Sequence, residues 1–279
     1  RLNRRMHNKS FIVDNKIAVI GGRNIGDDYF DASIDTNFRD LDLVIGPVVV
    51  DASRSFDDYW NSDAAFPVSA YPGSHDKPEV LAEVRQALAR DARKFAESDY
   101  AEAAFNELPD GATADRRGQW FGGKAILVAD APEKVEGEKP SESLVLVPTL
   151  DSMISASKSD LLLMSPYFIP SDSNVEHLAA LSKRGVSVNI LTNSLAATDE
   201  LAVYAKYAQH RKPLLEGGVK IFELRPAPGG GIPQSHPGQS SGVSLHAKAF
   251  VIDGRFTYVG SMNLDPRSKL LNTEMGLVV

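Results

Sequence analysis

The sequence predicts an α/β protein built as two pseudo-twofold related α/β/α lobes, with the active site at their interface and the first lobe truncated. Three observations predict this. A motif near the start recurs near the end, strands and helices alternate through residues 161–224, and the 279-residue chain suffices for about two domains with a buried core.

The repeat comes first in the chain. Residues 7–24 read HNKSFIVDNKIAVIGGRN, and residues 246–263 read HAKAFVIDGRFTYVGSMN. His7, Lys9, Phe11, Asp14, Gly21 and Asn24 recur as His246, Lys248, Phe250, Asp253, Gly260 and Asn263 at the same offsets. The positions between them are mostly conservative and rich in β-branched residues, so each copy is predicted to be a hairpin of two short strands. Asp14-Asn15-Lys16 and Asp253-Gly254-Arg255 supply the turns. Beyond the hairpins RDLDLVI, residues 39–45, aligns with TEMGLVV, residues 273–279, so Asp40 matches Glu274. Asp40 lies 33 residues after His7 and Glu274 28 after His246, which gives the first copy a five-residue insertion around residues 28–37.

The remaining elements follow in order. DASRSFDDYW, residues 51–60, reads as a helix, and residues 76–107 as a longer helical stretch. In that stretch Val80, Val84, Ala87, Leu88 and Ala92 form a core-facing stripe. Residues 130–143 read as a flexible linker. Residues 161–168, 186–191 and 219–224 are apolar strands, separated by helices at about 174–184 and 198–216, which implies a largely parallel sheet covered on both faces. The Gly, Pro and Ser-rich stretch at 225–244 reads as a loop on the rim of the site to which His246 belongs. The domain boundaries are therefore residues 1–75 for the first lobe, 76–143 for a helical connector and linker, and 144–279 for the second lobe. About 100 residues of strand and helix precede His246 and only six precede His7, so the chain reads as a fragment with incomplete ends and no visible targeting segment.

Composition narrows the chemistry. With no cysteine there is no disulfide, no zinc–thiolate site and no thiol nucleophile. A net charge of −7 and a pI near 5.4 argue against a chain held on nucleic acid by its overall field, while leaving a local basic pocket possible. The longest uncharged stretch, residues 226–245, is too rich in Gly, Pro and Ser to be a membrane span.

The repeated residues suit a phosphate. His7 and Lys9 are two apart, as are His246 and Lys248, so on a strand each pair projects to one face. Surface residues have no reason to repeat in register. Two lysines supply point charges, and the amides of Asn24 and Asn263 donate to non-bridging oxygens. One neutral histidine attacks phosphorus while the other, protonated, serves the leaving oxygen. Asp40 and Glu274 are the carboxylates that hold the second ring nitrogens. Asp14 and Asp253 lie an odd seven residues after each histidine, beside the turn, and are given a structural role. Gly21 and Gly260 permit close backbone packing. Gly22 against Ser261 is a departure from symmetry, giving only the second copy a hydroxyl. No ligand cluster has the spacing of a metal site, so neither metal nor cofactor is expected. Ser165 to Tyr167, Asn193 and the 225–244 loop are expected to shape a pocket for an acceptor.

HNKSFIVD…GGRN and HAKAFVID…GSMN resemble the paired HxKxxxxD motifs of the phospholipase D superfamily. The segments HNKSFIVDNKIAVIGGRNIGDDYF, NFRDLDLVIGPVV and GSMNLDPRSKLLNTEMGLVV resemble, more narrowly, bacterial cardiolipin synthases of the C type. The resemblance covers nearly the whole chain and is weakest over residues 76–143. It implies phospholipase D-like lobes and a metal-independent, two-step transfer through a phosphohistidine, with His7 as nucleophile and His246 as acid. The implied reaction moves a phosphatidyl group from a second phospholipid, phosphatidylethanolamine being the associated donor, to phosphatidylglycerol, giving cardiolipin. It also implies a peripheral protein at the surface of the bacterial inner membrane, on the cytoplasmic side. A phospholipase D-like hydrolase or a phosphodiesterase acting on nucleic acid would share every catalytic residue. The acidic pI and the lack of a basic, aromatic-rich stripe count against nucleic acid. A silent scaffold is disfavoured because no motif residue is missing.

Overall fold

The computed structural model describes residues 3–33, 36–71, 78–106, 122–136, 146–225 and 242–279. Two compact units are distinguished. The larger comprises Arg1–Ala64, Lys124–Gly231 and Ser240–Val279, and the smaller Ala65–Gly123 with Ile232–Gln239.

In the larger unit the first repeat forms β1 (Ser10–Val13) and β2 (Ile17–Gly21), followed by β3 (Thr36–Arg39), β4 (Asp42–Ile45) and helix α1 (Val49–Trp60). Strands β1, β2 and β4 make a three-stranded antiparallel sheet. The turn between β1 and β2 places Asp14 and Asn15 at φ of 51° and 52°, and its counterpart places Asp253 and Gly254 at 53° and 59°. Two successive left-handed residues make the turn whose twist matches the flanking strands, and Asp, Asn and Gly tolerate that conformation best.

The smaller unit holds α2 (Pro78–Ala96) and α3 (Asp99–Asn106). Here the sequence reading is corrected, because Val80, Val84 and Leu88 are exposed and not core-facing. Only the short α3 packs on α2 within the described part of that unit, with Phe95 against Tyr100, so most of the apolar stripe has no partner there.

The larger unit continues with β5 (Ile126–Ala129), α4 (Glu133–Glu136), α5 (Leu146–Ser155), β6 (Asp160–Met164), α6 (Asp172–Lys183), β7 (Ser187–Asn193), α7 (Leu201–Glu216) and β8 (Lys220–Leu224). It closes with β9 (Gly242–Leu245), β10 (Ala249–Ile252), β11 (Phe256–Gly260), α8 (Pro266–Leu270) and β12 (Met275–Val278). Seven strands form one sheet in the order β5-β12-β11-β10-β6-β7-β8. Only β6, β7 and β8 run parallel, so the sheet is mixed and not largely parallel. The parallel part comes from helical crossovers and the rest from the repeated hairpin, which can return only antiparallel. Residues 126–136 also depart from the expected connector and linker, since β5 pairs with β12 and α4 follows it directly.

Ser171 caps α6 by accepting the Asn174 N–H at 3.2 Å, and Asn174 caps in return. The inward faces of β6, β7, β10, α5, α6 and α7 meet in the main core, with Leu161, Leu163, Ile190, Leu146, Leu181 and Phe250 fully buried. Each such side chain contributes about 1.5–3 kcal/mol on burial. A second core joins the two halves of the repeat. Ala18, Ile20 and Ile45 of the small sheet pack with Met275 and Leu277 of β12. This core sets the two hairpins against each other and positions the site.

Candidate functional site

Both histidines lie in the last few residues before a hairpin, His7 and Lys9 ahead of β1 and His246 and Lys248 ahead of β10. Each is held by parallel pairing with the other copy of the repeat. Met6 bridges to Thr273, and the His7 N–H donates to the Thr273 carbonyl at 3.0 Å. β3 runs parallel to β9, and the His246 N–H donates to the Arg39 carbonyl at 2.8 Å. In both cases the next residue is the matched carboxylate.

The result is an exchange of partners. His7 Nδ1 meets Glu274 Oε2 at 2.7 Å, and His246 Nδ1 meets Asp40 Oδ2 at 2.6 Å. Each copy therefore supplies the carboxylate for the other copy's imidazole. An ionised carboxylate only accepts, so each Nδ1 carries a hydrogen and each Nε2 is left to react. Both carboxylate side chains are fully buried, whereas the His7 side chain is 25% exposed and that of His246 6%.

Lys9 Nζ donates to the His7 carbonyl at 2.8 Å, and Lys248 Nζ donates to the His246 carbonyl and lies 3.0 Å from His246 Nδ1. Burial lowers Lys9 to a pKa of about 8 and Lys248 to about 7, against the opposing pull of Glu274 and Asp40. Burial also pushes His246 down, with the hydrogen bond to Asp40 pulling it up. Two cations that are costly to bury beside two histidines make a pocket that a bound anion relieves.

The remaining motif residues divide. Asn24 Nδ2 donates to Tyr29 Oη at 2.6 Å, and that hydroxyl lies 3.5 Å from His246 Nε2. The Asn263 N–H donates to Ser268 Oγ at 3.2 Å, while its buried Oδ1 has no hydrogen-bond partner among the described residues. Ser261 Oγ donates to Glu274 Oε2 at 2.5 Å and accepts the Met275 N–H at 3.0 Å. At Gly22 a Cβ would run into the Asp40 carboxylate, and at Gly260 into the Met275 carbonyl. Gly21 likewise packs against Leu41 and Asp42. Asp14 and Asp253 lie at the turns. The Asp253 carboxylate accepts from the N–H groups of Lys158, Ser159 and Asp160, which hold it well below the usual carboxylate range.

A sequence profile described as "Cardiolipin synthase, PLD-like domain" matches residues 150–279. Cardiolipin synthase C of Escherichia coli (strain K12) is 41% identical to this chain over 292 residues, covering 100% of the chain and 59% of that protein. Cardiolipin synthase of Staphylococcus aureus (strain Mu50 / ATCC 700699) is 26% identical, covering 100% of the chain and 44% of that protein. The chain is therefore similar to cardiolipin synthases along its length and, over residues 150–279, to a phospholipase D-like domain. It spans a little over half the length of the first of these relatives. Among solved structures, phosphatidylserine synthase of Haemophilus influenzae Rd KW20 superposes on all of this chain and 58% of its own, with a TM-score of 0.63 at 15% identity, a likeness of phospholipase D-type fold.

Several side chains around this histidine pair, Tyr29, Phe38 and Arg23 among them, were not singled out by the sequence, whereas Tyr167 was. Tyr29, inside the insertion of the first copy, Phe38 and Tyr167 surround the His246 ring at centroid distances of 5.0, 5.2 and 6.5 Å. Arg23 Nε donates to Asp42 at 2.7 Å and its guanidinium also reaches the Tyr29 and Asp40 carbonyls. The expected acceptor pocket is corrected. Asn193 is used up clasping Leu245, donating to its carbonyl at 3.0 Å and accepting its N–H at 2.8 Å. Ser165 Oγ donates to the Tyr167 carbonyl and accepts the Leu264 N–H. Among the described residues of that group only Tyr167 packs against the His246 ring, its hydroxyl bonded to Asp199 at 2.6 Å. Most of the 225–244 loop lies outside the described residues.

Proposed function

We propose that the protein is a phosphatidyltransferase that makes cardiolipin from phosphatidylglycerol and a second phospholipid through a phosphohistidine on His7. The observation that carries this reading is the exchanged pair of His–carboxylate contacts with both lysines beside them. Two imidazoles, each fixed at Nδ1, and two cations around one pocket suit a phosphodiester attacked from one side and protonated on the other.

In the first step His7 Nε2 bonds to phosphorus, the bond from phosphorus to the leaving alcohol breaks, and His246 gives that oxygen its Nε2 proton. The negative phosphodiester works in the same direction as Asp40, raising the proton affinity of His246 for this step. Glu274 accepts from Nδ1 of His7 and stabilises the positive charge that develops on the ring. In the second step the acceptor hydroxyl returns a proton to His246 and attacks phosphorus, the P–N bond breaks, and His7 is regenerated. Lys9, Lys248, Asn24 and Asn263 neutralise and hold the non-bridging oxygens through both steps. No metal or cofactor enters.

The similarity to named cardiolipin synthases supports a phospholipid substrate. In this reading the donor is phosphatidylethanolamine, and the workplace is the surface of the bacterial inner membrane on its cytoplasmic face. Among the described residues no helix is long and apolar enough to cross a membrane. The test is the full-length protein on vesicles of phosphatidylglycerol and phosphatidylethanolamine, with and without EDTA. Cardiolipin with little phosphatidic acid, unaffected by the chelator, is expected. Phosphatidic acid as the main product makes the protein a hydrolase, and cleavage of single-stranded DNA without action on lipid makes it a nuclease. Loss of activity in EDTA that a divalent ion restores overturns the metal-free step.

A further inference from the structure

A buried ion pair outside the motifs touches the candidate site from behind. Lys134 Nζ lies 2.6 Å from Asp130 Oδ2, and both side chains are almost wholly buried, at 2% and 0% exposure. This stretch reads as a polar linker in the sequence. The cost of burying two charges is recovered only if the geometry is good and the remaining polar atoms are satisfied. Here Asp130 also accepts from the Leu146 N–H, and the other remaining bonds go to Glu274 of the site and to Ser268, which in turn holds Asn263.

Asp130 brackets the peptide of Glu274. Its Oδ2 accepts the Glu274 N–H at 3.2 Å, and its own N–H donates to the Glu274 carbonyl at 2.9 Å. Glu274 is the residue whose carboxylate holds His7. Lys134 Nζ donates to the Ser268 carbonyl at 2.9 Å, and Ser268 Oγ accepts the Asn263 N–H. The Lys134 carbonyl accepts from Arg4, on the strand approach that leads to His7. One buried pair thus fixes the backbone behind Glu274 and, one bond further on, behind Asn263.

We infer that Asp130 and Lys134 are positioning residues for the His7 half of the phosphoryl-transfer site, acting through Glu274. The inference rests on the proposed function for its kinetic consequence, but the alignment of His7 is measurable without turnover. Asp40 is secured differently, by its own contact with the Leu41 N–H and by Arg23 on its carbonyl. The effect is therefore specific to one histidine.

The experiment uses the full-length protein with Asp130→Asn/Lys134→Met, which removes both charges together and leaves no unpaired buried ion. Lys134→Arg, which keeps both charges and alters only the geometry of the pair, serves where the double variant does not fold. Displacing a catalytic group by about 1 Å costs on the order of 10²-fold, so kcat should fall ten- to a hundredfold with KM unchanged. In ¹⁵N-histidine spectra, assigned with His7→Asn and His246→Asn, the His7 ring signals should move and those of His246 stay. On a Glu274→Gln background the pair variant should add little, because both changes act on one contact. A folded variant with wild-type kcat and an unmoved His7 signal overturns the inference. So does a loss that multiplies fully with that of Glu274→Gln, or one that shifts both histidines alike. A wild-type protein without phosphatidyl transfer sinks the functional reading and leaves the spectra to decide this one.

Discussion

The two halves of the site share six motif residues and differ in nearly everything around them. His246 sits among Tyr29, Phe38 and Tyr167 with 6% of its side chain exposed, while His7 is 25% exposed. The carboxylate of the first half is made room for by Gly22, and that of the second is gripped by Ser261 and backed by Asp130 and Lys134. The flanking strands differ as well. β10 is paired on both sides and Phe250 is buried, whereas among the described residues β1 pairs only with β2 and its equivalent Phe11 is exposed. A duplicated motif thus supplies equivalent groups, and the surroundings give them unequal environments. That inequality suits a reaction in which one histidine must attack and the other must exchange a proton.

The largest expected effect breaks the pair itself. His7→Asn and His246→Asn should each lower turnover by at least about 10³-fold, because neither imidazole can do both jobs. Mass spectrometry should find a phosphatidyl adduct on His7 in the His246 variant and none on His246 in the His7 variant. An adduct on His246 would reverse the assignment. Asp40→Asn and Glu274→Gln should follow, slowing the chemical step by on the order of 10²-fold or more with binding and fold preserved. Unchanged kinetics in both would leave the exchanged contacts with a structural role alone.

Swapping the asymmetric position sharpens the comparison. Gly22→Ser places a side chain against Asp40 and should cost about 10²-fold by displacing the partner of His246. Ser261→Gly removes the hydroxyl that donates to the Glu274 carboxylate and accepts the Met275 N–H, while Asp130 still holds the Glu274 backbone, and should cost only about tenfold. Steady-state kinetics on both variants checks the order, and equal losses would remove the claim that the two carboxylates are held by different means.

How much of this was legible in the sequence follows from what each residue reports. The repeat, its hairpins and turns, and the match of Asp40 to Glu274 are local patterns, and the fold places them as expected. The exchange of carboxylates is not local, since it arises from the parallel pairing of β3 with β9 and of Met6 with Thr273. Asp130 and Lys134 look like linker residues because burial is invisible in a stretch of Asp, Glu, Lys and Pro. Tyr29 lies in an insertion, where a comparison of the two copies has nothing to align. The stripe on α2 shows the reverse error, because periodicity marks an apolar face and does not supply its partner.

The smallest expected effect separates binding from stability at the two lysines. Lys248, lowered to about 7, loses its charge first as pH rises, and Lys9, lowered to about 8, follows. The groups acting on them are Asp40, Glu274, His246 and, for Lys248, Asp199 and Lys9 as well, and His246 is already pushed below its ordinary value. Tungstate keeps its double negative charge over this range, so its affinity reads the protein's charge. Calorimetry should show roughly fivefold weaker binding at pH 8 than at pH 7 as protonated Lys248 becomes scarce, with a further loss by pH 9. Stability should move the opposite way. Lys248 in the unfolded chain keeps its proton up to its ordinary pKa of 10.5, so between about 7 and 10.5 the unfolded state binds more protons and the contribution of this group to stability rises with pH. Relative to Lys248→Met, which cannot titrate, the wild-type melting temperature should climb from pH 7 to pH 9 while tungstate affinity falls. If both quantities fall together, the lysine is held as a partner of Asp40 and not as a cation waiting for phosphate.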